Sequence, residues 1–194
     1  MRTVYIGIDN GATGSIGIVS ANYSNFFPTP VKSVPNYTKE VQMISRIDLP
    51  AIKAKLLEIQ LEVAPDRLLA DVTFRALIER PFMSPVETVT TNTGKKVPTV
   101  NMMFFKASLN AHRSFEATII LMESMKIGYE VVDSKAWQKS MLGTGISGSK
   151  ALKEASKIKG IQLYPQHEVT ILKHKDADGL LIAAFAQKFY NQWG

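Results

Sequence analysis

Two short apolar segments joined by a glycine-rich turn open the chain, and they constrain its fold more than any other feature. Residues 4–9 are apolar up to Asp9, and the apolar alternation resumes at residues 15–19. The residues between them, Asn10-Gly11-Ala12-Thr13-Gly14, are typical of a tight turn. The pattern therefore predicts a β-hairpin at the start of the fold.

Strand and helix patterns alternate after this hairpin. Strands are predicted at residues 76–79 and 129–132, with an irregular third strand around residues 31–34. Apolar spacing and start signals predict helices at residues 49–63, 100–125, 134–141 (capped by Ser134), 149–157 and 176–192. Residues 81–98 are predicted to form a long loop, and loops of this length are usually functional or mobile. The alternation predicts an α/β domain with a mixed sheet.

Composition narrows the class of protein. A chain of 194 residues is expected to form one domain, over residues 1–194, and no run of eighteen apolar residues suggests a membrane span. The absence of cysteine excludes disulfides, thiolate metal sites and cysteine nucleophiles. The net charge of +6 favours a polyanionic partner, since cationic side chains release the counterions of nucleic acids, although many basic proteins bind none.

Acidic side chains stand at the ends of the apolar segments. Asp9 and Glu79 close two predicted strands, and Asp178 precedes the apolar face of the last helix, with Asp176 two residues before it. Each alone fits an ordinary role, as a turn acceptor, a solvated strand end or a helix cap. Together they match the oxygen ligands that Mg²⁺ prefers. Two such ions activate water and stabilise the leaving oxygen in phosphodiester hydrolysis.

Four motifs in this order resemble the RuvC family of Holliday-junction resolvases, within the ribonuclease H-like superfamily. Residues 6–11 with Gly14 are similar to the family's opening hairpin, and residues 78–82 resemble its second acidic strand. Residues 132–139 resemble the strand and helix before its closing motif, and residues 176–183 resemble that closing helix. The resemblance implies an α/β ribonuclease H-like fold with a five-stranded mixed sheet flanked by helices.

The same resemblance implies a set of metal ligands. Asp9, Glu79, Asp176 and Asp178 are the expected catalytic side chains, holding two Mg²⁺ or Mn²⁺ ions. The family usually spaces its last two ligands three residues apart, but position 175 is a lysine here. Asp176 is favoured as the fourth ligand, and His174 is the alternative. Lys175 then becomes a candidate point charge near the scissile phosphate.

DNA-contacting residues and partners follow from the same comparison. Phe82 is expected to stack on bases at the junction centre, unless it is a core side chain. Lysines near the proposed cleft are expected to contact phosphates; they are Lys95, Lys96, Lys135, Lys139 and Lys150. The apolar surplus of the 100–125 helix predicts a two-fold homodimer or, alternatively, a thick core. The resemblance implies the cytoplasm of a bacterial cell or a phage-infected host.

The predicted activity is Mg²⁺-dependent endonucleolytic cleavage of Holliday junctions and related branched DNA, as in a crossover junction resolvase. Two alternatives remain open from the sequence: a debranching nuclease for forks and flaps with little junction preference, and an inactive DNA-binding module of the same fold. Sugar kinases and actin-like ATPases share the opening motif, but they need two related domains. Residues 143–150 look like a phosphate-binding loop without its Gly-Lys-Ser/Thr order, and we reject that reading.

Overall fold

The computed structural model describes residues 2–36, 41–64, 72–81, 86–90 and 92–191. A five-stranded mixed sheet forms the centre of this part of the chain, in the order β3-β2-β1-β6-β9. Its strands are β1 (Arg2–Asp9), β2 (Ser15–Val19), β3 (Ser24–Pro28), β6 (Val72–Glu79) and β9 (Gly128–Val132). Strands β1, β6 and β9 are parallel, whereas β2 is antiparallel to both of its neighbours. The predicted fold class is confirmed.

Two hairpins and six helices surround the sheet in the described residues. The hairpins pair β4 (Val31–Pro35) with β5 (Met43–Ile47), and β7 (Val86–Thr90) with β8 (Lys96–Val100). The helices are α1 (Leu49–Val63), α2 (Met102–Ser124), α3 (Ser134–Leu142), α4 (Ser149–Leu163), α5 (Glu168–Lys173) and α6 (Asp178–Asn191). A single 3₁₀ turn, Pro165–His167, precedes α5.

The strand predicted around residues 31–34 is present as β4, but its place outside the main sheet and the structure of the predicted 81–98 loop differ from expectation. The third strand of the main sheet is β3, and residues 31–34 belong to the separate β4–β5 hairpin. Their side chains are mostly exposed, so the strand pattern was present without the burial that the main sheet requires. The predicted loop at 81–98 contains the β7–β8 hairpin, which turns at Gly94 with a φ of 77°.

The helices differ from the predictions in their caps, in their ends and in one additional helix. Asp133, not Ser134, caps α3, because its carboxylate accepts the backbone N–H of Lys135 at 2.9 Å. Helix α4 continues to Leu163, and the short helix α5 was missed. Helix α6 begins at Asp178, so Asp176 lies before the first turn.

The core lies on both faces of the main sheet. On one face, buried side chains of α1 and α2 pack against β1, β2 and β6. On the other face, α6 and Trp137 of α3 cover the same strands. Each strand of the parallel pair β1–β6 therefore carries a continuous buried run, as expected when helices cover both faces.

Helix α2 is buried along only part of its length. Its buried side chains lie in the second half, from Ser114 to Met122. The first half exposes large apolar side chains, namely Met102, Met103, Phe104, Phe105 and Leu109. Among the described residues, no helix combines the length and apolar character needed to cross a membrane.

Helix α6 touches the sheet backbone because glycines meet at the contact. Gly7 of β1 pairs with Gly17 of β2, and α6 crosses above this pair. A Cβ atom at Gly7 would lie 2.1 Å from the backbone N of Ala183, and one at Gly17 would lie 2.3 Å from the Cα of Leu180. Such distances are possible only without side chains, so these two glycines set the depth at which α6 lies.

Gly17→Ala is expected to lower the free energy of unfolding by about 3 kcal/mol or more, because the added methyl meets backbone that cannot rotate away. Gly128→Ala is the matched control, since nothing lies within 4 Å of a Cβ there. Urea denaturation of both variants measures the difference. Equal stability of the two variants would contradict the close contact of α6 with the sheet.

Candidate metal centre

Two acids meet where adjacent parallel strands end. Strands β1 and β6 run in register, with Ile8 opposite Ile78, so Asp9 and Glu79 follow at neighbouring positions on the same edge of the sheet. The carboxyl ends of parallel strands are where α/β proteins commonly form their sites. The two acids that close the predicted strands therefore share one edge, as the sequence suggested.

The start of α6 brings two further acids to this edge. Asp176 is fully buried, and its carboxylate accepts the backbone N–H of Asp178 at 3.3 Å. The backbone N–H of Gly179 donates to the Ser15 hydroxyl at 3.1 Å, which fixes the first turn of α6 against β2. The depth of α6 on the sheet thus determines how near its acids come to Asp9.

Three of the predicted ligands converge. Single carboxylate oxygens of Asp9, Asp176 and Asp178 all lie within 4.8 Å of one another. Glu79 lies beside this group, close enough that the charges of Asp9 and Asp178 raise its pKa. His174, the alternative to Asp176, does not belong to the group of three within the described residues. Its Nδ1 lies 2.9 Å from the backbone oxygen of Asp176.

Lys175 is the cation of this site. Its Nζ atom lies 3.2 Å from Oδ2 of Asp9 and 3.1 Å from Oδ2 of Asp176. Although burial opposes it, the charges of these two carboxylates raise the pKa of Lys175, so the ammonium stays protonated. The charge of Lys175 thus partly compensates the acids when no other cation is bound.

Burial and mutual repulsion perturb the acids strongly. Burial, opposed by Lys175 and reinforced by Asp176, raises the pKa of Asp9 to about 6. Burial and the charges of Asp176 and Asp9 raise the pKa of Asp178 to about 7. Burial, with the neighbouring carboxylates, raises the pKa of Glu79 to about 8. Such shifts mark acids that lack sufficient compensating charge.

Asp176 is the exception in this group. Burial disfavours its charge, but hydrogen bonding from His174 and the charge of Lys175 outweigh burial and hold the pKa of Asp176 below its ordinary value. The interaction with Asp176 in turn raises the pKa of His174. Asp176 is therefore the acid whose ionised form this surrounding favours most.

Ser156 of α4 holds the acid-bearing turn in place. Its buried hydroxyl donates to Oδ1 of Asp178 at 2.5 Å and accepts the backbone N–H of Ala177 at 3.1 Å. Sequence reasoning missed Ser156, because a serine inside a helix carries no pattern that reports a distant partner. Outer contacts of this kind orient metal ligands and are often as important as the ligands themselves.

The donor set fits a hard divalent cation. All candidate ligands are carboxylate oxygens, which Mg²⁺ and Mn²⁺ prefer, and the described residues place three of them together. Oδ2 of Asp176 is buried without a hydrogen bond of good geometry, although the Lys175 ammonium is near. A divalent ion would complete the coordination of this oxygen and relieve the repulsion that raises the neighbouring pKa values.

The residues predicted to contact DNA lie in several places. Lys135 and Lys139 are exposed on α3, and Lys150 is exposed at the start of α4. Lys95 and Lys96 are exposed at the turn of the β7–β8 hairpin. Phe82 lies outside the described residues, so its predicted stacking stays a prediction.

Trp137 of α3 is fully buried next to the acids. Its indole N–H lies near Glu79 and helps to lower the pKa of that acid, against the larger effect of burial. The geometry falls short of a full hydrogen bond, because the indole nitrogen has no partner that meets the distance and angle limits. The indole N–H of Trp137 is therefore a buried donor near Glu79 that has no hydrogen-bond partner in the described residues.

Among the comparisons with known proteins, only those with solved structures found similar chains. No protein-family model matches the chain, and no curated protein matches it. A structure of Thermus thermophilus RuvC in complex with a Holliday junction substrate is similar, with a TM-score of 0.47, 14% identity, 99% of this chain and 96% of that chain covered. A second structure of RuvC from Thermus thermophilus gives a TM-score of 0.41 and 14% identity, with 96% of each chain covered. Because these scores are below 0.5, we base the function of the site on its own geometry.

Proposed function

We propose that this chain is a divalent-metal-dependent endonuclease that cleaves branched DNA, with four-way junctions as its preferred substrate. One observation carries the proposal: carboxylate oxygens of the half-buried Asp9 and Asp178 and the buried Asp176 converge at one edge of the sheet, with Glu79 beside them. A buried cluster of acids with raised pKa values is costly to keep unless it holds a cation. The net charge of +6 suits a polyanionic substrate despite this acidic centre.

Each side chain has a distinct role in the proposed reaction. Asp9, Asp176 and Asp178 hold Mg²⁺ or Mn²⁺, and Glu79 completes the set toward a second ion. Such ions activate water and stabilise the charge that develops on the leaving oxygen of a phosphodiester. A bound metal would compete with Lys175 for the carboxylates of Asp9 and Asp176, and the Lys175 ammonium would then be available to a phosphate oxygen.

In this proposal, residues 1–194 form one nuclease domain. The domain acts in the cytoplasm of a bacterial cell or a phage-infected host. We assign phosphate contacts to the exposed lysines of α3, α4 and the β7–β8 hairpin, and base stacking to Phe82. The motifs at residues 6–11, 78–82, 132–139 and 176–183 are the reason for preferring a resolvase to other metal-dependent nucleases. Forks and flaps are substrates of the alternative, a debranching nuclease.

We also propose that two chains pair through the exposed first half of α2. Met103 is 82% exposed and Phe104 is 53% exposed, in a run of large apolar side chains. A contiguous apolar patch of this kind marks an interaction surface more often than an ordinary solvated face. A two-fold pair would carry two acid clusters, one for each strand cut at a symmetric junction.

Metal binding should depend steeply on pH. The pKa values of Asp9, Asp178 and Glu79 are raised in the folded protein, so they stabilise the metal-free fold at low pH and lose this contribution as pH rises through about 6 to 8. Metal-free protein should therefore melt at a lower temperature at about pH 8 than at about pH 5. Mg²⁺ or Mn²⁺ should restore the loss, with affinity rising about tenfold per pH unit for each proton released.

Thermal melting with and without metal measures both effects. Asp133→Asn is the matched control, because it removes a carboxylate at the start of α3 while asparagine still caps the helix. It should keep the wild-type response to metal. A metal-induced shift that is the same at both pH values would contradict ionisation of these acids on binding.

Asp9→Asn should reduce cleavage of a synthetic four-way junction by at least about a hundredfold, because loss of outer contacts alone costs metal sites 10- to 100-fold. Binding of the junction in Ca²⁺ should persist. The assay compares the four-way junction with a Y-fork and a linear duplex, again with Asp133→Asn as control. Undiminished cleavage by Asp9→Asn would remove Asp9 from the site, and equal cleavage of fork and junction would favour the debranching alternative.

Met103→Glu with Phe104→Glu should convert the dimer to a monomer in sedimentation velocity, because charges at the centre of an apolar seam are left unpaired and dehydrated. Leu61→Glu is the control, since Leu61 is 58% exposed on α1, away from this patch. A wild-type mass near that of one chain, with and without junction DNA, would exclude the dimer.

A further inference from the structure

We infer that a cleft between the β4–β5 hairpin and α2 binds the sugar-phosphate backbone of one DNA strand as it leaves the acid cluster. The cleft has a volume of about 550 Å³. This is within the size range of sites for small ligands, and it suits a nucleotide-sized segment better than a duplex. The inference rests on the proposed nuclease function and adds a place for the substrate strand.

Charge is the first argument. Three cationic side chains line the cleft, Lys32 and Arg46 from the hairpin and Arg113 from α2, and no carboxylate is among the lining residues that the structure describes. Lys32 and Arg46 stand directly opposite each other across the β4–β5 ladder. Like charges at directly opposed positions destabilise a hairpin. A phosphate between them would be attracted to both cations.

Position is the second argument. The turn from Asn10 to Thr13 forms part of the cleft wall, and Asn10 follows Asp9 directly in the chain. The cleft therefore adjoins the turn that follows Asp9 at the end of β1. A strand cut at the acid cluster would pass along this turn to reach the cleft.

The wall between the two places is held rigidly. The side-chain amide of Asn10 donates from Nδ2 to the backbone oxygen of Ala111 at 2.9 Å, which ties the β1–β2 turn to α2. Oδ1 of Asn10 is buried and has no hydrogen-bond partner in the described residues. The cleft thus presents cations for phosphates beside a turn that the Asn10 hydrogen bond holds against α2.

Salt dependence of DNA binding tests the cleft. The triple variant Lys32→Gln, Arg46→Gln, Arg113→Gln is compared with Lys55→Gln, Lys126→Gln, Lys188→Gln, which removes the same charge from residues that do not line the cleft. Binding of a labelled four-way junction is measured by anisotropy in Ca²⁺ over a range of salt. The cleft variant should bind roughly tenfold or more weakly at low salt, with a log–log slope shallower by about two, at roughly 0.7 for each single-strand phosphate contact. The control should keep the wild-type slope.

A cross-link locates the strand independently of the charge changes. A photoreactive residue in place of the exposed Ser45, which lines the cleft, should cross-link to the junction, whereas one in place of Lys126 should not. Equal slopes for the two triple variants, or no cross-link from position 45, would overturn the cleft. An unchanged slope together with capture of an acidic protein at position 45 would assign the cleft to a protein partner instead.

The proposed function is tested separately in the same samples by cleavage in Mg²⁺. If the wild type binds and cleaves the junction, but the cleft variant and its control bind with the same salt dependence, the DNA-binding role of the cleft is overturned and the nuclease function stands. If the cleft variant has a shallower salt dependence than the wild type, but the wild type does not cleave the junction in Mg²⁺, the cleft is supported as a DNA site and the nuclease function is overturned. Wild-type protein that does not bind DNA overturns both.

Discussion

The close contact of α6 with the main sheet determines the rest of the site. Gly7 and Gly17 give α6 room to rest on sheet backbone, and Gly179 of α6 fits against Ser15 in the same way. Without this depth, the acids before and at the first turn of α6 would not reach the ends of β1 and β6. Because these three positions have no side chain, α6 lies close to the sheet, and this close packing brings the carboxylates together.

The negative charges of these acids repel one another, and two kinds of contact partly offset the repulsion. Lys175 supplies one positive charge between Asp9 and Asp176, and Ser156 supplies a hydrogen bond to Asp178. These contacts leave the pKa values of Asp9, Asp178 and Glu79 raised, so the compensation is incomplete. A divalent cation would provide the missing charge, and the raised pKa values are consistent with the metal site that we propose.

The secondary-structure elements with a regular apolar pattern could be predicted from the sequence. The opening hairpin, the strand that ends at Glu79 and the helix after Asp176 could be predicted from apolar spacing, and the resemblance of their motifs to the resolvase family implied that their acids form one site. The strand β3 could not, because only Phe26 among its residues is buried and the pattern of residues 31–34 competed with it. Contacts between distant segments could not be predicted either, because nothing in the sequence near Ser156 indicates its contact with Asp178, and nothing near Lys175 indicates its contact with Asp9.

The central claim is that these acids hold divalent ions, and crystals of the protein soaked in Mn²⁺ test it most directly. Anomalous diffraction should show a manganese peak at coordination distance, about 2.2 Å, from oxygens of Asp9, Asp176 and Asp178, with the Lys175 ammonium moved away. Crystals without an anomalous peak at these carboxylates, and with both ion pairs of Lys175 in place at saturating Mn²⁺, would contradict the account.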